Sequence, residues 1–421
     1  MKRFAFILIL STVVAVMAGC ESDQQGKDVS VDKAKGGKAA TLDKPGAAVV
    51  KTREDLPPLV PETLGATATL PSEYPSNWVF VHDAAFAHML EGRMIIIDPL
   101  AENITGQYRG MMNISFMGHF IQATTRPELY ISERFYSRGV RGKRTDVITI
   151  YNTASLKPID EIVLTEAINF RGMPERYAMA LLDNERLLLT FNMTPATSVT
   201  VMDVVKREIL SEVSIPGCSL MYPTGERGFT SLCSNGGLLS TQLDEKGQVL
   251  SQKRVGPFFN VDSSPIFERP AIINGVAYFP GFSSEIHPVD LTGPVAVPGE
   301  PWSLVSEQER KEAWRPGGVG LIDKDTAGNF YVLMHPNGHD GTQSEAGAEV
   351  WVVDPVTRQH RHRIKLKTRG LSIGVTKEEN PLLIVTNTDM NVDVYRVNSG
   401  KYIRTISHFG QETPLMVYAV R

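Results

Sequence analysis

Four groups of residues in this sequence have types and spacings suited to chemistry. His335, His339 and Asp340 fall within His335-Pro336-Asn337-Gly338-His339-Asp340-Gly341, imidazole and carboxylate donors of the kind that ligate a divalent metal. The intervening Gly and Pro fix no ligand geometry, so a solvated loop is the plainer reading. Arg138, Arg141 and Arg144, with Asp146 and Glu133, offer either a fork for a carboxylate or a paired network holding a sheet and an interface. The planar guanidinium suits the second, because it makes buried bidentate pairs. His360-Arg361-His362-Arg363 opens a strand-like run to Leu366, which reads as a charged exposed edge before it reads as an anion site. Cys218 and Cys233 lie on successive strand-like segments joined by Pro223-Thr224-Gly225-Glu226-Arg227-Gly228. No Gly-x-Ser-x-Gly, nucleotide-binding loop or Cys-x-x-Cys occurs.

The elements that must position these residues are short strands in a repeat. A β-branched or aromatic run, a polar gap and a second run ending in Asp, Asn or a turn occur as Trp78–Asp83 with Met94–Asp98, and as Glu128–Glu133 with Asp146–Asn152. The pattern recurs as Leu187–Asn192 with Val199–Asp203, Phe229–Ser234 with Leu238–Asp244, and Val276–Gly281 with Glu285–Asp290. It closes with Phe330–His335 and Glu349–Asp354, then Leu382–Asn387 and Val392–Val397. Each unit is followed by turn chemistry, such as Asp98-Pro99 or Asp354-Pro355, and by a further β-rich run. Four strands per unit, seven times, predicts an all-β chain folded as a seven-bladed β-propeller. Continuous apolar runs such as Met94-Ile95-Ile96-Ile97 fit sheets covered on both faces. The one helix signal is the capping box Ser306-Glu307-Gln308-Glu309, predicting a helix over Ser306–Trp314 that Pro316-Gly317-Gly318 stops.

Composition and the N-terminus bound the setting. The chain of 421 residues is 42% hydrophobic with a formal charge of −4, which excludes wholesale disorder. No segment is basic enough to track a phosphate backbone, so a nucleic-acid partner is not expected. Lys2 and Arg3 precede an apolar run from Phe4 to Val16, too short to span a bilayer, and Met17-Ala18-Gly19-Cys20 closes it. This reads as a signal peptide over 1–19 with a lipobox, placing lipidation on Cys20. The expected location is periplasmic, anchored to the outer membrane because Glu21 follows the cysteine. Residues 20–75, polar and then proline-rich, predict a largely disordered, flexible tether, and 76–421 the propeller. In an exported protein, the spacing of Cys218 and Cys233 favours a disulfide, with two buried thiols as the alternative.

The stretch Ser137-Arg138-Gly139-Val140-Arg141-Gly142-Lys143-Arg144-Thr145-Asp146 resembles the heavy subunit of bacterial quinoprotein amine dehydrogenases, the methylamine and aromatic amine dehydrogenase group. Three further stretches agree: Cys218 through Tyr222-Pro223-Thr224 to Phe229 and Cys233, Ala313-Trp314-Arg315-Pro316-Gly317-Gly318, and Glu379-Asn380-Pro381-Leu382-Leu383. The resemblance spans about residues 70–421 and implies a seven-bladed propeller paired with a small, disulfide-rich light subunit as a heterotetramer. That partner holds tryptophan tryptophylquinone and the catalytic groups; it oxidises primary amines to aldehyde and ammonia and passes electrons to a copper protein, a cupredoxin. The resemblance therefore implies no catalytic residue, metal or cofactor in this chain. It implies that Phe116, in Ile114-Ser115-Phe116-Met117-Gly118, lines the mouth of the substrate channel. Two other readings stand beside it. One is a lipid-anchored propeller that binds or scaffolds without catalysis; the other is a propeller hydrolase or lactonase with a metal in its central channel.

Overall fold

Along the strand Val79–Ala84 the side chains divide by parity, Val79 and Val81 entering one hydrophobic cluster and Phe80 and Ala84 another. Its partner Gly92–Ile97 divides the same way, Met94 and Ile96 on one face and Ile95 and Ile97 on the other. Successive Cβ atoms point to opposite faces, so a run apolar at every position belongs to a sheet covered on both sides. Each such buried aliphatic side chain contributes about 1.5–3 kcal/mol. The result is a ring of sheets with hydrophobic cores between neighbours, and no single central core.

The computed structural model describes residues 69–86, 91–116, 118–164, 169, 174–408, 410 and 412–421. The signal segment, Cys20 and the tether as far as residue 68 lie outside the described residues. Residues that the sequence places at the tether's end are packed. Leu70 and Tyr74 are buried, and the Tyr74 hydroxyl donates to the Thr153 carbonyl at 2.5 Å.

All sheets are antiparallel meanders. The first is ordered Thr413–Ala419, Val79–Ala84, Gly92–Ile97, Tyr108–Asn113, so the C-terminal strand closes the ring against the first. The second holds Phe120–Gln122, Glu128–Arg138, Arg141–Asn152 and Pro158–Val163; the third, Met179–Leu182, Leu187–Asn192, Ser198–Asp203 and Glu208–Ser214. The fourth holds Cys218–Thr224, Gly228–Cys233, Leu238–Leu243 and Val249–Val255. The fifth holds Ala271–Ile273, Val276–Pro280 and Glu285–Asp290, the last pairing both Val297–Pro298 and Trp302–Ser303. The strands from Arg315–Pro316 to Tyr402–Ile406 form one eight-stranded sheet.

All seven predicted strand pairs are present as antiparallel pairs. The predicted count of seven separate blades requires correction: five sheets of four or five strands stand alone, and the eight-stranded sheet accounts for the rest. The reason is Gln359–Val375, a strand of 17 residues that pairs with Gly347–Asp354 through its first part and with Leu382–Asn387 through its last. Gly370 pairs with both neighbours, facing Gly347 on one side and Asn387 on the other, and so joins the two halves. The helix is also shorter than predicted, Glu307–Lys311. Its capping box is formed: the Ser306 side chain accepts from Glu309 N–H and the Glu309 carboxylate from Ser306 N–H. Ala313, at φ 51°, lies past its end.

Cys218 and Cys233 face each other across the first two strands of the fourth sheet and form a disulfide. The Arg254 guanidinium lies 3.5 and 3.7 Å from the two sulfurs. Replacing both cysteines with serine is expected to lower stability by about 2–4 kcal/mol. Thermal unfolding of the variant beside the dithiothreitol-treated parent checks this; superimposable curves for variant and oxidised parent would contradict it.

Candidate functional site

The first strand of each sheet runs from one end of the channel to the other. Loops between second and third strands, and those linking successive sheets, therefore share one end, here the loop end. Turns between first and second strands share the opposite, turn end.

The most distinctive feature of the loop end is the hairpin Glu128–Arg138 and Arg141–Asn152, of 11 and 12 residues against six in most neighbours. The inner neighbour pairs only as far as Ile131, and on the outer side Leu164 N–H bonds the Asp146 carbonyl. Residues 135–145 therefore stand beyond the four-stranded sheet as a free ribbon, with Phe135 49% and Val140 60% exposed.

The ribbon's base is fixed by charge. The Asp146 carboxylate is fully enclosed and accepts from Arg144 Nε at 2.8 Å and Nη2 at 2.5 Å, and from Asn169 N–H at 3.1 Å. Arg134 Nε stands 3.6 Å away. Asn169 in turn donates from its side chain to Thr190 and the Phe191 carbonyl, tying the second sheet to the third. Burial, reinforced by Arg144, lowers the Arg134 pKa. The predicted arginine group therefore divides. Arg144 and Asp146 are a structural pair at the base, whereas Arg138 and Arg141 face each other at the exposed tip. Among the described residues neither tip arginine has an ion-pair partner.

Phe116 lies half-buried in the loop joining the first sheet to the second. Ser115 ties that loop to the ribbon, accepting from Arg134 N–H at 2.9 Å and donating to the Arg134 carbonyl. Gly118 is required there, since a Cβ would lie 2.8 and 2.9 Å from the carbonyl oxygens of Ser132 and Ser115. The Phe116 ring meets Phe86 edge-to-face, centroids 5.3 Å apart at 78°, the favoured geometry for the ring quadrupoles. Phe86 is the more exposed of the pair, at 44%. Sequence reasoning missed Phe86; its only signal is one aromatic in the loop after the strand Val79–Ala84.

Between the two ends the channel is filled. Glu175 and Arg269 form a buried bidentate pair, and burial pushes the Glu175 carboxyl up to about 7 although Arg269 opposes the shift. One residue on, Arg176 donates to the carbonyls of Ile322 at 3.0 Å, Ile373 at 3.1 Å and Val417 at 2.8 Å. Its guanidinium also pairs with Asp323 at 3.4 Å. One side chain thus satisfies channel-facing acceptors on three inner strands.

The remaining predicted residues stay apart. His335 is wholly buried and its Nδ1 lies 3.3 Å from the Pro336 carbonyl, while His339 is exposed and Asp340 pairs with Arg315 at 3.2 Å. Among the described residues no three His, Cys, Asp or Glu side chains are grouped to hold a metal. His360 and His362 bond the carbonyls of Leu304 and Val397, Arg361 pairs with Asp354, and Arg363 pairs with Glu309 and covers the Trp351 ring at 3.9 Å. That run is a structural edge.

Fold and site together define a β-propeller with a plugged channel and a projecting ribbon beside an aromatic pair at its loop end. Over residues 76–419 the sequence matches the family described as methylamine dehydrogenase heavy chain. The chain belongs to this family. It is 25% identical over 365 residues to the methylamine dehydrogenase heavy chain of Methylobacillus flagellatus, covering 85% of this chain and 91% of the relative. It is 25% identical to that of Methylophilus methylotrophus, covering 82% and 83%, and 23% identical to that of Paracoccus versutus, covering 79% and 77%. Among solved structures, a putative 6-phosphogluconolactonase from Bacteroides fragilis aligns with TM-score 0.54 at 9% identity, covering 81% of this chain and 97% of that one. A dihydro-heme d1 dehydrogenase aligns with TM-score 0.50 at 15% identity, covering 87% and 78%. At these identities the two structures speak to the fold alone.

Proposed function

We propose that this chain is the heavy subunit of a periplasm-facing, quinone-dependent amine dehydrogenase. The observation that carries the reading is the family match along nearly the whole described body, 76–419. In this reading a light subunit holds the quinone, tryptophan tryptophylquinone, which would supply the two-electron oxidation of a primary amine that, with water, yields aldehyde and ammonia and releases two protons. Those electrons pass on to a cupredoxin. This chain positions the partner and shapes the approach of the substrate.

The loop end is where that partner sits. The ribbon offers Phe135, Val140, Arg138 and Arg141 on its free part, and aromatic and arginine side chains are the types that dominate binding energy at interfaces. Phe116 and Phe86, on the same end, form the mouth through which amine reaches the quinone. Lipidation of Cys20 in the outer membrane, through residues outside the described body, would hold the complex at the membrane surface.

A mouth built from two rings selects by steric fit, worth about 1–3 kcal/mol per methylene. Phe86→Ala is therefore expected to raise kcat/KM for a butyl or larger amine relative to methylamine by about 10-fold or more. Steady-state assay of the assembled complex checks it. An unchanged ratio in both Phe86→Ala and Phe116→Ala would remove the two rings from the substrate's path.

A further inference from the structure

At the turn end, beyond Arg176, the channel opens into a cavity of about 210 Å³. Its walls are of two kinds. Phe120, Ile121, Ile272 and Tyr418 supply an apolar side; Arg176, Lys324, Lys377 and Arg421 supply a cationic one, with Asp323 the one carboxylate lining it. We propose that this cavity binds a small organic anion, a monocarboxylate with a short apolar body, its carboxylate held by Lys324, Lys377 and Arg421 and its body against the aromatic wall. The proposal is independent of the amine dehydrogenase reading, which concerns the opposite end.

The charge balance carries the argument. Among the described residues the four lining cations face one lining carboxylate, Asp323; beside the cavity stand Glu185, 3.8 Å from Arg421, and Glu175, whose carboxylate feels Arg176. All three acids are already engaged, Glu175 by Arg269. Asp323 accepts from the backbone N–H groups of Val375 at 2.8 Å and Lys324 at 2.9 Å and pairs with Arg176 and Lys377 at 3.4 and 3.8 Å. Glu185 accepts from the N–H and hydroxyl groups of Thr124 and Thr125. Beyond the Lys377–Asp323 pair the lysines donate to neutral acceptors, Lys324 Nζ to the Ile272 carbonyl and Lys377 Nζ to that of Lys324 at 2.6 Å. Among the described residues no carboxylate stands within ion-pair distance of Lys324.

Positive charge so placed is costly. Burial, with Lys377 adding repulsion, lowers the Lys324 pKa. A bound anion reverses this shift, since an ammonium keeps three donors and only one is engaged by each carbonyl. The volume suits the ligand class: an apolar protein cavity of about 150 Å³ holds benzene. A bare, strongly hydrated oxyanion would leave the apolar wall unused, which is why a carboxylate with an apolar body is the occupant.

Isothermal titration of the full chain with benzoate, and separately with inorganic phosphate, at neutral pH and 150 mM salt tests the proposal. Benzoate is expected to bind at one site per chain, more tightly than phosphate. Lys324→Met should weaken it about 10-fold or more, and Arg421→Gln, at a more exposed position, by a few-fold. Asp323→Asn should tighten it, a gain that damage to the fold would not produce and that keeps the test decisive if Lys324→Met misfolds. No benzoate binding up to 20 mM, phosphate binding the more tightly, or an unchanged benzoate affinity in Asp323→Asn and Arg421→Gln would each overturn it.

Discussion

Replacing Arg176 with methionine is expected to lower the stability of the propeller by about 3–5 kcal/mol, because charged hydrogen bonds to three buried carbonyls are lost together. The geometry explains the size. Inner strands present one unpaired edge to the channel, and Arg176 reaches such edges at Ile322, Ile373 and Val417, on strands far apart in sequence. Methionine fills comparable space but donates nothing, and Asp323 keeps only Lys377 as an ion-pair partner. A fall in melting temperature of roughly 5–10 °C is the expected reading for a domain of this size. A loss below about 1 kcal/mol would mean that water or a neighbour replaces the guanidinium at little cost.

The second large effect concerns assembly. Removing residues 137–143 and closing the ribbon with an Asn-Gly turn between Tyr136 and Arg144, which already face each other, is expected to weaken light-subunit binding at least ~100-fold, about 3 kcal/mol. The deletion takes away Val140 and both exposed arginines but leaves the Arg144–Asp146 pair and its bond to Asn169 intact. Stability should change by less than about 1 kcal/mol, since surface segments away from core and caps contribute little. Surface plasmon resonance against the isolated partner separates the two quantities. Undiminished affinity would place the interface elsewhere.

Much of this architecture is legible in the sequence because strand periodicity is local. The repeated pairs from Trp78 to Val397 each carry their own β-branched, aliphatic or aromatic run and turn residues, and the Ser306 capping box and the facing cysteines are short-range signals as well. What escapes is non-local. No Pro or Asn interrupts Lys365 to Gly370, yet nothing in that stretch announces that one strand serves two neighbours. Arg269 and Glu175 are separated by 94 positions, and Arg176 meets carbonyls 146 to 241 positions away. Spacing alone does not relate them. The arginine motif was visible as a group, but its division depends on where the four-stranded sheet ends and the free ribbon begins. Phe86 escapes for a different reason: a single loop aromatic has a meaning only once Phe116 is seen beside it.

The central claim is that this propeller carries a quinone-bearing partner. The direct measurement is affinity capture of the tagged chain from its native host grown on a primary amine, followed by mass spectrometry and a visible spectrum of the eluate. The account predicts a small cysteine-rich subunit in equal amount and a quinone absorbance that bleaches when amine is added. A well-expressed chain recovered without such a subunit, and with no amine-dependent change in its spectrum, would contradict it.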